Sequence, residues 1–306
     1  MIKIYHKTTK DLDLQIVDNL KIGSWVRVYD PSEKEINYLI DEIGLEEGLV
    51  RDALDPFEVP RMEIDEGIVY VYTRVPHKEG DRIITLPVMI AVADKAIVTV
   101  SKKELPFIHE FVAKESINTT QKAKLLLQLF AEVDKAYQNF ITRINRSVRE
   151  VDVRLTRIEN KDIVEFVRFE KILNDFLSAL TATNAVLNNL LKGKSMEFYE
   201  GDKDFIEDMF LSSGQLIQTA KSNLRNIVNI REAYSTIMSQ DLNRVIKILT
   251  VLTILLNVPV LVASLYGMNV ALPGSGSPNA FWWIIGWTGG ITLIVLAILI
   301  QKRWIK

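Results

Sequence analysis

The chain contains no cysteine, so disulfides and thiolate metal sites are both excluded. It has only three histidines, His6, His77 and His109, and their separation fits no zinc spacing. They are read as ordinary surface or core residues. A net charge of −2 gives no basis for nucleic-acid binding. No nucleophile, base and orienting residue recur at a recognisable spacing, so an enzyme is not expected, nor is an organic cofactor. Met1–Leu14 is polar and carries Lys3, Lys7, Lys10, Asp11 and Asp13, so no N-terminal signal peptide is expected. The most telling absence is of charge: no Asp, Glu, Lys or Arg occurs between Lys247 and Lys302.

That charge-free stretch holds two apolar runs, Ile248–Tyr266 and Phe281–Ile300. Each is close to the ~20 residues that cross a hydrocarbon core of ~30 Å. The polar link between them has Pro273, Gly274, Ser275, Gly276, Ser277, Pro278 and Asn279, which favour turns. The pattern predicts a C-terminal transmembrane hairpin with both ends in one compartment. Arg244, Lys247, Lys302, Arg303 and Lys306 flank those ends while the link is uncharged, which places the ends in the cytoplasm. Tyr266, Trp282 and Trp283 at the outer edge, and Trp304 at the inner, suit interfacial aromatic belts.

Upstream, residues 1–118 read as a mixed α/β domain. Met1–Tyr5, Leu14–Val17, Trp25–Tyr29, Ile68–Val75, Ile84–Ala93 and Ala96–Ser101 are β-prone. Lys78-Glu79-Gly80-Asp81 is a hairpin turn and Asp94-Lys95 makes another. Pro31-Ser32-Glu33 opens a helix through Ile36, Leu39, Ile40 and Ile43. From Thr119 the period is helical. Residues 119–201 form a helical pair, one face marked by Leu126, Phe130, Val133, Tyr137, Phe140, Ile144, Val148, Val151, Leu155 and Ile158. The second helix follows Asn160 and stops at Gly193-Lys194-Ser195, and the charge run Arg146–Arg157 is a solvated face. A third helix begins near Asp202 or Asp204, with Glu207 completing a capping arrangement. Unbroken from Asp204 to Tyr266, it would be a stalk about 95 Å long. Its parts are a cytosolic stretch, 202–247, and a first membrane helix, 248–268. A loop at 269–280, a second membrane helix at 281–301 and a basic tail at 302–306 complete the chain.

Gln215, Ser222, Asn229, Thr236, Asn243, Thr250, Asn257 and Ser264 stand at consecutive seven-residue intervals, all polar and uncharged. Seven residues is nearly two helical turns, so they form one stripe on a supercoiled helix. Thr250 and Thr253 can satisfy their hydroxyls on carbonyls one turn back. Asn257 cannot face lipid without losing several hydrogen bonds, so it points to a water-filled lumen or a neighbouring helix. One hairpin encloses nothing; a lumen requires several chains around an axis. Gly286 and Gly290 form G-x-x-x-G, which permits close backbone approach. Leu249 and Ile246 give an apolar constriction toward the cytosol.

The tetrapeptide Tyr266-Gly267-Met268-Asn269, between the two hairpin helices, resembles the signature of the CorA-type magnesium transporter family. Val50–Val75 resembles that family's cytosolic domain more loosely, through Asp52-Ala53-Leu54-Asp55 and Pro60-Arg61-Met62-Glu63 before an aromatic-rich strand. The resemblance implies an α+β cytosolic domain, long stalk helices, a two-helix transmembrane hairpin and a homo-oligomeric funnel, a pentamer. It implies a divalent-cation channel for Mg²⁺, with Co²⁺ and Ni²⁺ as further ions, in the cell membrane. Gly267, Met268 and Asn269 would be the selectivity filter, Gly267 supplying a left-handed helix exit. Ser264, Asn257, Thr253, Thr250 and Asn243 would line the pore, with Leu249 and Ile246 as the hydrophobic gate. In such proteins Mg²⁺ held between subunits keeps the pore closed. Asp208 matches one side of that regulatory site; its partner falls near Glu79 or Asp81, with Glu79 nearer by count. Family members commonly carry an acidic residue after the tetrapeptide, whereas Asn269–Ala280 has none. A zinc carrier of the related ZntB type, and a membrane-anchored sensor with the stripe as an oligomer seam, remain alternatives.

Overall fold

The computed structural model describes the chain except residues 81, 115, 153–157, 194–197, 271–273, 275 and 303–306. Asp81, Leu155, Lys194, Ser195, Pro273, Ser275, Arg303, Trp304 and Lys306, which carry sequence expectations, lie outside the described residues. The chain divides into two units, Met1–Ile230 and Arg231–Lys306.

The first unit is built on a seven-stranded sheet. Its strands are β1 (Ile2–His6), β2 (Gln15–Ile16), β3 (Ser24–Tyr29), β4 (Met62–Asp65), β5 (Ile68–Glu79), β6 (Arg82–Val92) and β7 (Ala96–Ser101). They lie in the order β2-β1-β3-β7-β6-β5-β4. Every pair is antiparallel except β3 with β7, where Trp25 meets Ile97 and Val28 meets Val100 in parallel register.

Both faces of this sheet are covered, which is why β6 and β7 read as continuous apolar runs rather than alternating ones. On one face Val26, Val28, Tyr70, Tyr72, Met89, Val98 and Val100 meet Ile36, Leu39, Ile43 and Val50. These last belong to α1 (Glu33–Tyr38), the π-helical turn Leu39–Ile43 that extends it, and α2 (Glu47–Asp52). The Ser32 N–H donates to Glu35 Oε2 at 2.8 Å, so the Pro-Ser-Glu start is a working helix entry. On the other face Trp25, Val71, Val75, Val88, Ile90 and Ile97 pack against α3 (Ile108–Val112), α4 (Lys122–Asp152) and α5 (Asn160–Leu191). Trp25 stacks on Tyr5, meets Phe111 edge-on, and its indole N–H donates to Thr99 Oγ1 at 3.1 Å. A Trp this deep keeps its apolar burial only because its one donor is satisfied.

The helical face expected from Leu126 to Val151 is the one α4 buries. The β5–β6 hairpin is tighter than expected, because Glu79 still pairs with Arg82. Just after Glu79, Gly80 takes φ +58°, a value that glycine adopts at little cost.

The last long helix, α6 (Glu200–Tyr266), runs through both units. Its start corrects the expected Asp204 cap. The Tyr199 carbonyl already accepts the N–H groups of Asp202 and Lys203, so Asp204 lies inside the helix. Pro259 does not end it. The second unit is completed by α7 (Ala280–Gln301).

Candidate functional site

Within the second unit, α6 has two distinct sides. Val251 is buried and Leu255, Val258 and Val262 are half-buried, whereas Asn257, Val260, Leu261 and Ser264 are exposed. The covered row faces α7, whose half-buried residues are Ile284, Thr288, Thr292, Val295, Leu296 and Leu299. A cavity of about 300 Å³ bounded by Val262, Tyr266, Trp283, Ile284 and Thr288 marks where the two helices meet. At ~100° per residue, Thr250, Asn257 and Ser264 fall within about 40° of one another and opposite Leu255 and Val262. Asn257 and Ser264 of the polar stripe are therefore on the side of α6 that α7 leaves open, while Thr250 is half-buried. Further back Gln215, Ser222, Asn229, Thr236 and Asn243 are exposed as well.

Membrane helices must satisfy hydroxyls internally or lose several kcal/mol, and four threonines of these helices do so. Thr250 Oγ1 donates to the Ile246 carbonyl and Thr253 Oγ1 to the Leu249 carbonyl, both at 2.8 Å. On α7, Thr288 and Thr292 do the same to Ile284 and Thr288. Asn257 has no such recourse: its amide has no hydrogen-bond partner within the chain, among the described residues. Two residues on, Pro259 lacks the N–H that would bond the Leu255 carbonyl. That carbonyl lies on the α7 side, away from the stripe, so the proline adds no oxygen to the open face.

Ile246 and Leu249, the expected gate, are 51% and 62% exposed in the single chain, two large aliphatics without an intrachain partner surface. At the far end α6 closes on Tyr266, and the Gly267 N–H still bonds the Ala263 carbonyl at 2.9 Å. This corrects the expected left-handed exit, because Gly267 does not have positive φ; Gly274 does, in the link. The space beside Gly267 is tight but not closed. A β-carbon there would stand 3.2 Å from the Ala263 carbonyl oxygen, tighter than ordinary contact. Among the described residues no main-chain N–H bonds the Gly267 carbonyl, and Met268 and Asn269 beside it are exposed. These residues sit at the negative end of the α6 dipole.

The Gly286–Gly290 pair does not serve the α6–α7 contact. It forms the floor of a separate exposed groove walled by Trp283, Trp287 and Ile294. Phe281, Trp282, Trp283 and Trp287 are all exposed at the start of α7, as an interfacial belt requires.

In the first unit, Asp208 is exposed on α6 between buried Ile206 and Met209. Glu79 is exposed at the end of β5, where Lys103 Nζ donates to its Oε1 at 2.5 Å. That bond and the Lys103 charge hold the Glu79 carboxyl below its ordinary range. Any metal at Glu79 must therefore compete with a resident ammonium. Among the described residues, no three His, Cys, Asp or Glu side chains are grouped closely enough to hold an ion within one chain. The Val50–Val75 stretch has a structural role. Arg61 binds Asp52, Glu58 and Glu63 and lies over the Tyr72 ring at 4.2 Å.

One pair escaped the sequence reading: Asp134 on α4 accepts from Ser212 on α6. The signal was an acidic residue set among Phe130, Val133 and Tyr137, but its partner depends on which helix faces meet.

Two helices, α6 and α7, are long and apolar enough to span a bilayer. They are carried on the same chain as an α+β domain, and the first has an open polar side, the layout of a multi-pass membrane protein. The chain belongs to the family described as CorA-like Mg²⁺ transporter protein, which it matches over residues 21–303. That is a family of transporters, not of enzymes. The cobalt/magnesium transport protein CorA of Methanocaldococcus jannaschii is 24% identical over 290 residues, 92% of this chain and 91% of that one. The complete structure of the CorA magnesium transporter from Methanocaldococcus jannaschii superposes with a TM-score of 0.88 at 21% identity, covering 99% and 98% of the two chains. The full-length CmaX protein gives a TM-score of 0.80 at 16% identity, covering 99% and 97%.

Proposed function

We propose that this chain assembles as a homo-oligomer, a pentamer, into a divalent-cation channel of the cell membrane that conducts Mg²⁺, with Co²⁺ and Ni²⁺ as further ions. The observation that carries this reading is the division of α6: α7 covers one side and leaves Asn257 and Ser264 open on the other, with half-buried Thr250 at the edge of that face. An uncovered amide at that depth is tolerable only if it faces water or a hydrogen-bonding neighbour helix, and Ser264 on the same side favours water. A ring of α6 helices around an axis supplies that water, with α7 outside and the termini in the cytoplasm.

Mg²⁺ dehydrates reluctantly, so rapid conduction is best served by holding the hydrated ion. Asn269 side-chain carbonyls and Gly267 main-chain carbonyls, ringed at the negative ends of the α6 helices, can accept hydrogen bonds from its waters. Ser264 and Asn257 continue the polar path, followed by Thr253, Thr250 and Asn243. The Leu249–Ile246 level is the dewetting gate. Mg²⁺ also acts as regulator, bridging Asp208 of one chain to an acidic residue of its neighbour, with Glu79 as the candidate despite its Lys103 partner.

Purified protein in liposomes should pass Mg²⁺ readily, Co²⁺ and Ni²⁺ as well, and Zn²⁺ poorly, with no dependence on a proton gradient. Preferential proton-driven Zn²⁺ flux would select the zinc-carrier reading, and absence of all flux the sensor reading.

A further inference from the structure

We propose that Asp134 of α4 and Ser212 of α6 form a proton-operated latch that seats the soluble part of α6 on α4. The Ser212 hydroxyl donates to Asp134 Oδ2 at 2.7 Å, directly bridging the two helices. Asp134 is only half-buried, but its neighbours on α4, Phe130, Val133 and Tyr137, are at most 3% exposed. Beside it lies a small, partly open cleft of about 10 Å³ lined by Asp134, Tyr137, Thr183, Met209 and Ser213. Ser213 is 1% exposed and its hydroxyl has no partner. A cleft that size is about one water, and a water needs two to four polar neighbours. Ser213, Thr183 and the Asp134 carboxyl supply them. Thr183 continues the polar seam to Thr73 of β5 at 3.2 Å, and the Tyr137 hydroxyl donates to the Arg74 carbonyl.

Among the described residues no cation lines the cleft beside Asp134. From α5 the wall is Leu180, Thr183 and Leu187, and from α6 it is Met209 and Ser213. Tyr137, the other titratable group lining the cleft, is pushed further up by burial and stays neutral. Lys135 and Asp208, the adjacent charges on α4 and α6, are exposed to solvent. Burial accordingly pushes the Asp134 carboxyl above its ordinary value, opposed only by the Ser212 hydrogen bond. A raised carboxyl means the seated state holds the proton more tightly than the loosened one. Seating is therefore strongest at low pH. It weakens as pH rises from the ordinary aspartate value through the raised one, and is constant above it. The latch is read independently of ion flow; its consequence for transport, that acidification seats the soluble part of α6 more firmly, rests on the pore reading above.

The test is thermal unfolding of the full-length protein in detergent across pH, for wild type, Asp134→Asn and Ser212→Ala. Asp134→Asn mimics the protonated acid, so its Tm should exceed wild type by about 2–4 °C at alkaline pH, the gain vanishing toward the ordinary aspartate range. Ser212→Ala removes the donor that favours the carboxylate, so the pH dependence of Tm should move to higher pH. A gain or loss that is the same at every pH overturns the latch. Should Asp134→Asn fail to fold, an unmoved Ser212→Ala profile overturns it equally. Neither readout requires flux, so the latch and the pore stand or fall separately.

Discussion

Replacing Asn269 with Ala is expected to reduce divalent flux to background while leaving the oligomer intact. Asn269 is exposed beyond the end of α6 and contributes nothing to the packing of the chain. Its proposed work is to accept from the waters of the hydrated ion. A hydrogen bond involving a charged partner contributes ~1.5–3 kcal/mol. Losing even the lower figure costs about tenfold in occupancy. In a symmetric ring the same bond is lost from every subunit at once, and no carboxylate in the link substitutes for it. The measurement is Mg²⁺ uptake into liposomes, with oligomer size checked by light scattering. Normal uptake by a correctly assembled Asn269→Ala protein would remove the residue from the filter.

The second large effect concerns closure. If cytosolic Mg²⁺ bridges Asp208 to an acidic neighbour on the next chain, the ion offsets repulsion between carboxylates and favours the packed ring. Without it the cytosolic interfaces loosen and the Leu249–Ile246 level can widen and wet. The ion must bind the closed state more tightly, since equal affinity for both states shifts nothing. Asp208→Ala should raise the internal Mg²⁺ needed for half-closure by about tenfold or more, the equivalent of ~1.4 kcal/mol of differential binding. Glu79→Ala is the companion variant. Because Lys103 already engages Glu79, its effect should be smaller than that of Asp208→Ala. Flux at controlled internal Mg²⁺ reads both, and an inhibition curve unchanged in Asp208→Ala would strike this site from the mechanism.

Much of this was legible because the signals are long. A charge-free stretch with two membrane-length runs, and a period that changes near Thr119, leave little freedom about element type. The β7 strand and the back-bonding of Thr250 and Thr253 follow from local chemistry alone, and both hold in the structure. The errors were local too. A capping pattern at Asp204 carries no information about the earlier Tyr199 carbonyl that starts the helix. A glycine at a helix end most often serves as a left-handed exit, whereas Gly267 does not take positive φ and its N–H still bonds the Ala263 carbonyl. Short elements such as β4, α2 and α3 owe their form to the sheet and core around them, not to a period of their own. The Asp134–Ser212 contact spans 78 residues and exists only once two helix faces have met.

The central claim is that the side of α6 opposite α7 lines a water-filled ion path, and the absence of native cysteine permits a direct test. Single cysteines would be placed at Thr250, Asn257 and Ser264, and at Leu255 and Val262 on the covered side. Gly276→Cys serves as the control for access from outside. Each variant is treated with a membrane-impermeant thiol reagent during Mg²⁺ flux. The pore reading predicts block at Asn257 and Ser264, weaker block at the narrower Thr250 level, and none at Leu255 or Val262. Block confined to Leu255 and Val262, with Asn257 and Ser264 inert, would contradict it.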